Sequence, residues 1–102
     1  MRKIYLFVYC DSSIYRTVVK AWADESELVS SWRYDIPNSI YLVSEASADE
    51  LSAEVTANFG SRFRFLITEV SENRQGCMPA DTWYFLLNKR TKSMEESASR
   101  VV

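Results

Sequence analysis

The 102-residue chain contains no histidine and only two glycines, two prolines and two cysteines. Without an imidazole ring, Ser-His-Asp and Cys-His triads, HExxH zinc sites and histidine acid/base chemistry are excluded. Gly60 and Gly76 stand too far apart to build a GxGxxG or Walker loop, each of which needs several glycines within a few positions. Cys10 and Cys77 form neither a CxxC site nor a disulfide scaffold. No apolar run approaches the ~20 residues of a membrane span. Met1-Arg2-Lys3 opens like a signal peptide, but the run from Ile4 to Cys10 is short and enters polar Asp11-Ser12-Ser13. The expectation is a cytoplasmic protein with reduced thiols and no membrane contact. A net charge of -2 and a pI near 5.1 speak against coating nucleic acid by bulk charge. They leave room for a local basic patch. Whatever chemistry the chain performs must use carboxylates, hydroxyls, Arg and Lys, aromatics or surface shape.

What is present is ample for one folded domain. The 47% hydrophobic content suffices for a core in a chain this long without staples. Ile4-Tyr5-Leu6-Phe7-Val8-Tyr9 is continuously apolar and rich in strand formers, the pattern of a central strand buried on both faces. Asp11-Ser12-Ser13 offers N-cap groups, and Ile14, Val18 and Trp22 then recur at four-residue spacing to predict a helix ending near Asp24. Trp32, Tyr34 and Ile36 alternate with Arg33 and Asp35, predicting a strand over Leu28 to Ile36 with one wet face. Pro37-Asn38 is turn chemistry, and Ile40-Tyr41-Leu42-Val43 completes a hairpin. Ser47 with Glu50 makes a capping box, Leu51, Val55 and Phe59 form a helical stripe, and Gly60 supplies the stop. Phe63, Phe65 and Ile67 alternate with Arg62, Arg64 and Thr68 as a fourth strand. The order β-α-β-β-α-β is that of a ferredoxin-like α+β fold with an antiparallel sheet, its helices on one face. Trp83, Leu86 and Leu87 mark a short last helix from about Ala80 to Asn88. The domain thus runs over 1–88, and the polar composition of 89–102 predicts a flexible tail. That tail carries Lys89, Arg90, Lys92 and Arg100 against Glu95 and Glu96, so the body is more acidic than the whole.

Three stretches carry a resemblance. They are Lys3-Ile4-Tyr5-Leu6-Phe7-Val8-Tyr9, the hairpin from Trp32 to Val43, and Gly76-Cys77-Met78-Pro79-Ala80-Asp81-Thr82-Trp83. In element order and length, residues 1 to about 88 resemble the small ferredoxin-fold proteins of the CRISPR adaptation (Cas-two) family. They are more similar still to SinR-like proteins, whose Gly-x-x-Pro-x-x-x-Trp ending the last stretch matches. The resemblance implies a homodimer in which two sheets pack together, often with a C-terminal segment crossing to the partner, and a role beside nucleic acid. It also implies a prokaryotic or phage defence or toxin–antitoxin setting. Some members are metal-dependent nucleases with an Asp at the end of the first strand; others only scaffold. The family's Tyr-Asp falls on Tyr9-Cys10 here, and the carboxylate arrives one residue later as Asp11. In a strand that shift turns the side chain to the opposite face.

Asp11 therefore has two readings. It is either a catalytic Mg²⁺ ligand paired across a dimer axis, or the N-cap of the first helix. Cys10 and Cys77 read as a core thiol and a loop thiol, since no histidine is present to activate either. Arg33, Arg62 and Arg64 read as a guanidinium set for nucleic-acid phosphates, or as a solvated sheet face paired to Glu69 or Asp35. Trp83, Tyr84, Leu86 and Leu87 on a short terminal helix read as dimer interface, because aromatic and apolar residues concentrate at interface centres. The expected function is a homodimeric binding protein contacting DNA, RNA or a protein partner without strong catalysis and without a cofactor. The alternatives are a Mg²⁺-dependent endonuclease built on Asp11 and a pure protein-interaction module.

Overall fold

The apolar run near the start of the chain becomes β1 (Lys3–Tyr9), and its hydrophobicity on both faces places it inside the sheet. The computed structural model describes residues 1–10 and 13–89. β1 is flanked by β3 (Ser39–Ser44) and β4 (Phe65–Glu69), and β2 (Ser31–Arg33) lies outside β3, giving the order β2-β3-β1-β4 with every pair antiparallel. Phe7 sits opposite Ile40 on one side and Ile67 on the other. Three helices complete the chain: α1 (Ser13–Glu25), α2 (Ala48–Phe59) and α3 (Ala80–Asn88). The architecture is α+β, with a four-stranded antiparallel sheet and three helices, and is compatible with the ferredoxin-like expectation.

Side-chain alternation along β1 divides the interior in two. Tyr5, Phe7 and Tyr9 point toward the main core, where they meet Val19, Trp22 and Ala23 of α1 and Leu51 and Val55 of α2. Phe7 is fully buried and lies edge-on to Tyr9, Trp22 and Phe63 at 5.5, 5.7 and 6.3 Å between ring centroids. Such aromatic pairs add about 0.5–1.5 kcal/mol each beyond the area they bury.

The α1 stripe differs from the expected one. Val18 is 42% exposed whereas Val19 is fully buried. A strict four-residue step drifts about 40° around the helix each time, so the inward line runs through Tyr15, Val19 and Trp22–Ala23 instead. α2 matches its reading. The Glu50 N–H donates to Ser47 Oγ at 3.1 Å, and the Ser47 N–H donates to Glu50 Oε1 at 3.2 Å. Gly60, with φ 91°, ends the helix by donating its N–H to the Thr56 carbonyl at 2.9 Å.

Two strands are shorter than their alternation predicts. β2 covers Ser31–Arg33 and not the whole of 28–36, because a turn closed by the Ser26 carbonyl and hydroxyl occupies Leu28 and Val29. Beyond Arg33 the chain turns again: the Ser39 N–H donates to the Ile36 carbonyl, and Asn38 takes φ 65°. β4 begins at Phe65, since Phe63 is tied back to Gly60, so Arg62 and Arg64 precede the strand. Lys89 caps α3 in a left-handed conformation, and the rest of the 89–102 tail lies outside the described residues.

Candidate functional site

The second face of the sheet carries Ile4, Leu6 and Val8 of β1, Tyr41 and Val43 of β3, Leu66 and Thr68 of β4, and Ser31 and Arg33 of β2, as strand register requires. α3 covers only one end of it. Phe85 and Leu86 are buried against Ile4 and Val43, with Trp83, Tyr41 and Val70 packed around them. Of the four residues read as dimer interface, Trp83 and Leu86 therefore pack on the chain's own sheet. Tyr84 and Leu87 remain on the outer side, 54% and 73% exposed.

A polar clamp pins α3 down. Arg33 Nε donates to Asp35 Oδ2 at 2.9 Å and Arg33 Nη2 to Asp35 Oδ1 at 3.1 Å, a two-pronged pair. The fully buried Thr82 hydroxyl donates to Asp35 Oδ2 at 2.5 Å and accepts from Arg33 Nε at 2.9 Å. The Asp35 side chain is 10% exposed and that of Arg33 28%, so the pair is largely withdrawn from solvent. Residues almost fifty positions apart thereby join β2 to the first turn of α3.

The other half of this face is bare. Val8, Ile36 and Leu66 are 39%, 51% and 61% exposed. Between the bare half and α3 runs an apolar groove of about 320 Å³, floored by Leu6 and Tyr41 and walled by Val70, Met78, Trp83 and Leu86. The loop before α3 contributes Arg74, Gln75, Gly76 and Cys77 to its lining. Burial, reinforced by the Asp35 carboxylate, pushes the Tyr41 hydroxyl above the ordinary tyrosine range, so it remains a protonated donor at neutral pH.

The sequence-predicted residues separate. Arg33 lies on the β2 edge and is committed to Asp35 and Thr82, the pairing that the solvated-face reading anticipated in part. Arg62 and Arg64 lie at the opposite edge, exposed, and neither forms an ion pair among the described residues. Four strands at ~4.8 Å spacing put the two edges about 14 Å apart, so the three guanidiniums do not make one patch. The Cys10 N–H donates to the Arg64 carbonyl at 3.0 Å, which sets Arg64 beside the end of β1. Asp11 lies outside the described residues. Among those described, no three Cys, Asp or Glu side chains converge as a metal site would require. Cys77 is exposed and Cys10 half-buried.

Two features went unread in the sequence. The first is the part of Thr82 in the clamp: the pairing of Arg33 with Asp35 was open to reading, but nothing near them points to a hydroxyl from α3. The second feature is a carboxylate held on the helical side: Glu54 accepts from the Trp22 indole N–H at 2.8 Å and also from the Ser26 hydroxyl. This ties α1 to α2 across a shallow acidic hollow that includes Glu25, Glu27 and Asn58. On the same side, burial raises the Tyr5 and Tyr9 hydroxyls; Glu69 and Glu50 add to the first, and Tyr34 adds to the second against an opposing pull from Arg16. Comparison of the chain with family models, with curated proteins and with solved structures yields no match.

Proposed function

We propose that this chain works by association: a ferredoxin-like homodimer of the Cas-two and SinR-like kind, in which the second sheet faces of two copies meet. The observation that carries this reading is the apolar surface left by the half-covered sheet. Val8, Ile36 and Leu66 on the strands and turn, with Tyr84 and Leu87 on α3, are between 39% and 73% exposed on or beside one face. Five such side chains present on the order of 500 Å² of apolar surface, about the size of the largest patch on a typical monomer. The half-buried groove residues beside them bring the face toward the ~800 Å² per partner of a standard interface. A surface divided into a ridge (α3) and a recess (bare sheet) is suited to a two-fold contact in which each ridge enters the partner's recess.

Arg62 and Arg64, exposed and without a carboxylate partner among the described residues, support a nucleic-acid contact at the rim. Arg33 is left out of it, being engaged internally. The setting is the prokaryotic or phage defence or toxin–antitoxin context implied by the resemblance.

Light scattering across a concentration series tests the reading. The wild type is expected to be a dimer at micromolar concentration, and Leu66→Glu and Leu87→Glu to be folded monomers. A wild type that stays monomeric at millimolar concentration would sink it. For the rim contact, Arg62→Ala with Arg64→Ala should reduce the slope of log affinity against log salt for a single-stranded oligonucleotide by about 1–2.

A further inference from the structure

The groove beside α3 has a composition that an interface does not require. Its floor and walls are Leu6, Tyr41, Val70, Met78, Trp83 and Leu86, and its lining contains no carboxylate. Its one charged lining residue among those described is Arg74. Arg74 spends one N–H, from Nη1, on the Ser71 carbonyl at 3.0 Å, and no carboxylate pairs with it among the described residues. The Tyr41 hydroxyl lies in the field of the Asp35 carboxylate, so Arg74 is the group left to meet an anion. Gln75 turns its side-chain oxygen back onto the Gly76 N–H at 2.9 Å, so that acceptor is already used. An apolar cleft with an arginine and no carboxylate in its lining is complementary to an anion with a hydrocarbon body.

We infer that this groove binds a small apolar carboxylate, its hydrocarbon lying over Leu6, Val70, Met78 and Trp83 and its carboxylate on Arg74. At about 320 Å³ the groove stands at the small end of ligand pockets, which suits an acid of about ten non-hydrogen atoms such as an eight-carbon one. For ten atoms the expected dissociation constant lies between about 10 µM and 1 mM. The groove adjoins the face proposed for self-association and shares Ile36 with it, while Arg74 and Met78 belong to the loop before α3; light scattering alongside each titration separates loss of ligand binding from a change of oligomeric state.

The test uses the whole chain and three probes of equal hydrocarbon length: octanoate, octan-1-ol and octylammonium. Amide and indole NMR signals of Leu6, Tyr41, Met78 and Trp83 should shift on titration with octanoate. Octylammonium should bind at least about tenfold more weakly. Arg74→Gln, a change in an irregular loop, should weaken octanoate about tenfold while altering octanol by less than twofold. Leu6→Trp, which fills the floor, should weaken both, and a thermal melt of each variant checks that it is folded. Unmoved groove signals at about 10 mM octanoate would overturn the inference. Octylammonium binding as tightly as octanoate, or unchanged octanoate affinity in a folded Arg74→Gln, would do the same.

Discussion

Replacing Thr82 with Val removes one oxygen and changes little else in size, so it isolates the clamp. The Thr82 hydroxyl makes two hydrogen bonds to charged partners, one given to Asp35 and one received from Arg33. Each such bond is worth about 1.5–3 kcal/mol when lost outright. Two offsets apply. Arg33 and Asp35 still satisfy each other through both prongs, so neither charge is stranded. The added methyl also recovers up to about 0.8 kcal/mol of burial. The net cost should be about 1–2 kcal/mol. Asp35→Ala is the harsher change, since it leaves the Arg33 guanidinium without its counter-charge and with only Thr82 to accept from it, and should cost about 2–4 kcal/mol. Urea unfolding gives the global figure, and amide exchange locates it. Because α3 is fastened to the sheet by the clamp and a small apolar cluster, exchange at Phe85 to Leu87 should accelerate about tenfold in Thr82→Val, a factor equivalent to ~1.4 kcal/mol. The β1 amides should move only as far as global stability moves. A Thr82→Val protein within about 0.5 kcal/mol of wild type, with unchanged exchange in α3, would refute the assignment of Asp35 and Thr82 as the fastening of this helix.

Two further outcomes follow from buried polar groups. Glu54→Ala should destabilise by about 1–3 kcal/mol, because it removes the acceptor of the Trp22 indole N–H and the Ser26 hydroxyl, whereas Glu54→Gln keeps an acceptor oxygen and should cost less; equal losses in urea titration would contradict the account. The buried Tyr9 hydroxyl has no partner among the described residues, so Tyr9→Phe should match or exceed wild-type stability at pH 8. Its raised pKa means that the folded state holds the proton more tightly than the unfolded state. The stability this brings is complete below about pH 10 and lost as pH rises through the folded value, so Tyr9→Phe should show a shallower fall in stability between about pH 9 and 11. A loss above about 1 kcal/mol at pH 8 would mean that the hydroxyl is paired.

The elements that local rules govern were legible. A continuous apolar run announced a central strand, and β1 occupies that place with Ile4 and Phe7 buried on opposite faces. The Ser47–Glu50 box and Gly60 bounded α2 because capping depends on neighbours three or four positions away. The second sheet face was not legible in the same way. Nothing within ten residues of Arg33 shows that a helix beginning at Ala80 will lie over it, and the clamp that brings them together joins positions 33, 35 and 82. Alternation correctly put Arg33 opposite the main core; what it could not show was that part of this wet face would be roofed by α3. The strand lengths failed for a related reason. Side-chain period persists to Ile36 and through Phe63, but the Ile36 carbonyl and the Phe63 N–H are bonded within turns, and the pattern of side chains does not record that. Asp11, the residue on which the nuclease alternative turned, lies outside the described residues.

The strand order carries a kinetic consequence. The most apolar strand sits in the middle of the sheet, yet neither of its neighbours is local: Tyr5 pairs with Leu42 on one side and Glu69 on the other. Its sheet partners therefore come only through long loop closures, whose entropy must be spent before the pairing returns any free energy. High contact order of this kind slows folding and leaves Ile4 to Tyr9, a stretch of strand formers without charge, unpaired while it waits. The β2–β3 hairpin, closed over the short turn at Asn38, can form early and offers β1 its first ready edge. Folding of this chain is then a race between that hairpin capturing β1 and other chains doing so, which makes the local stability of the hairpin a determinant of yield as well as of rate.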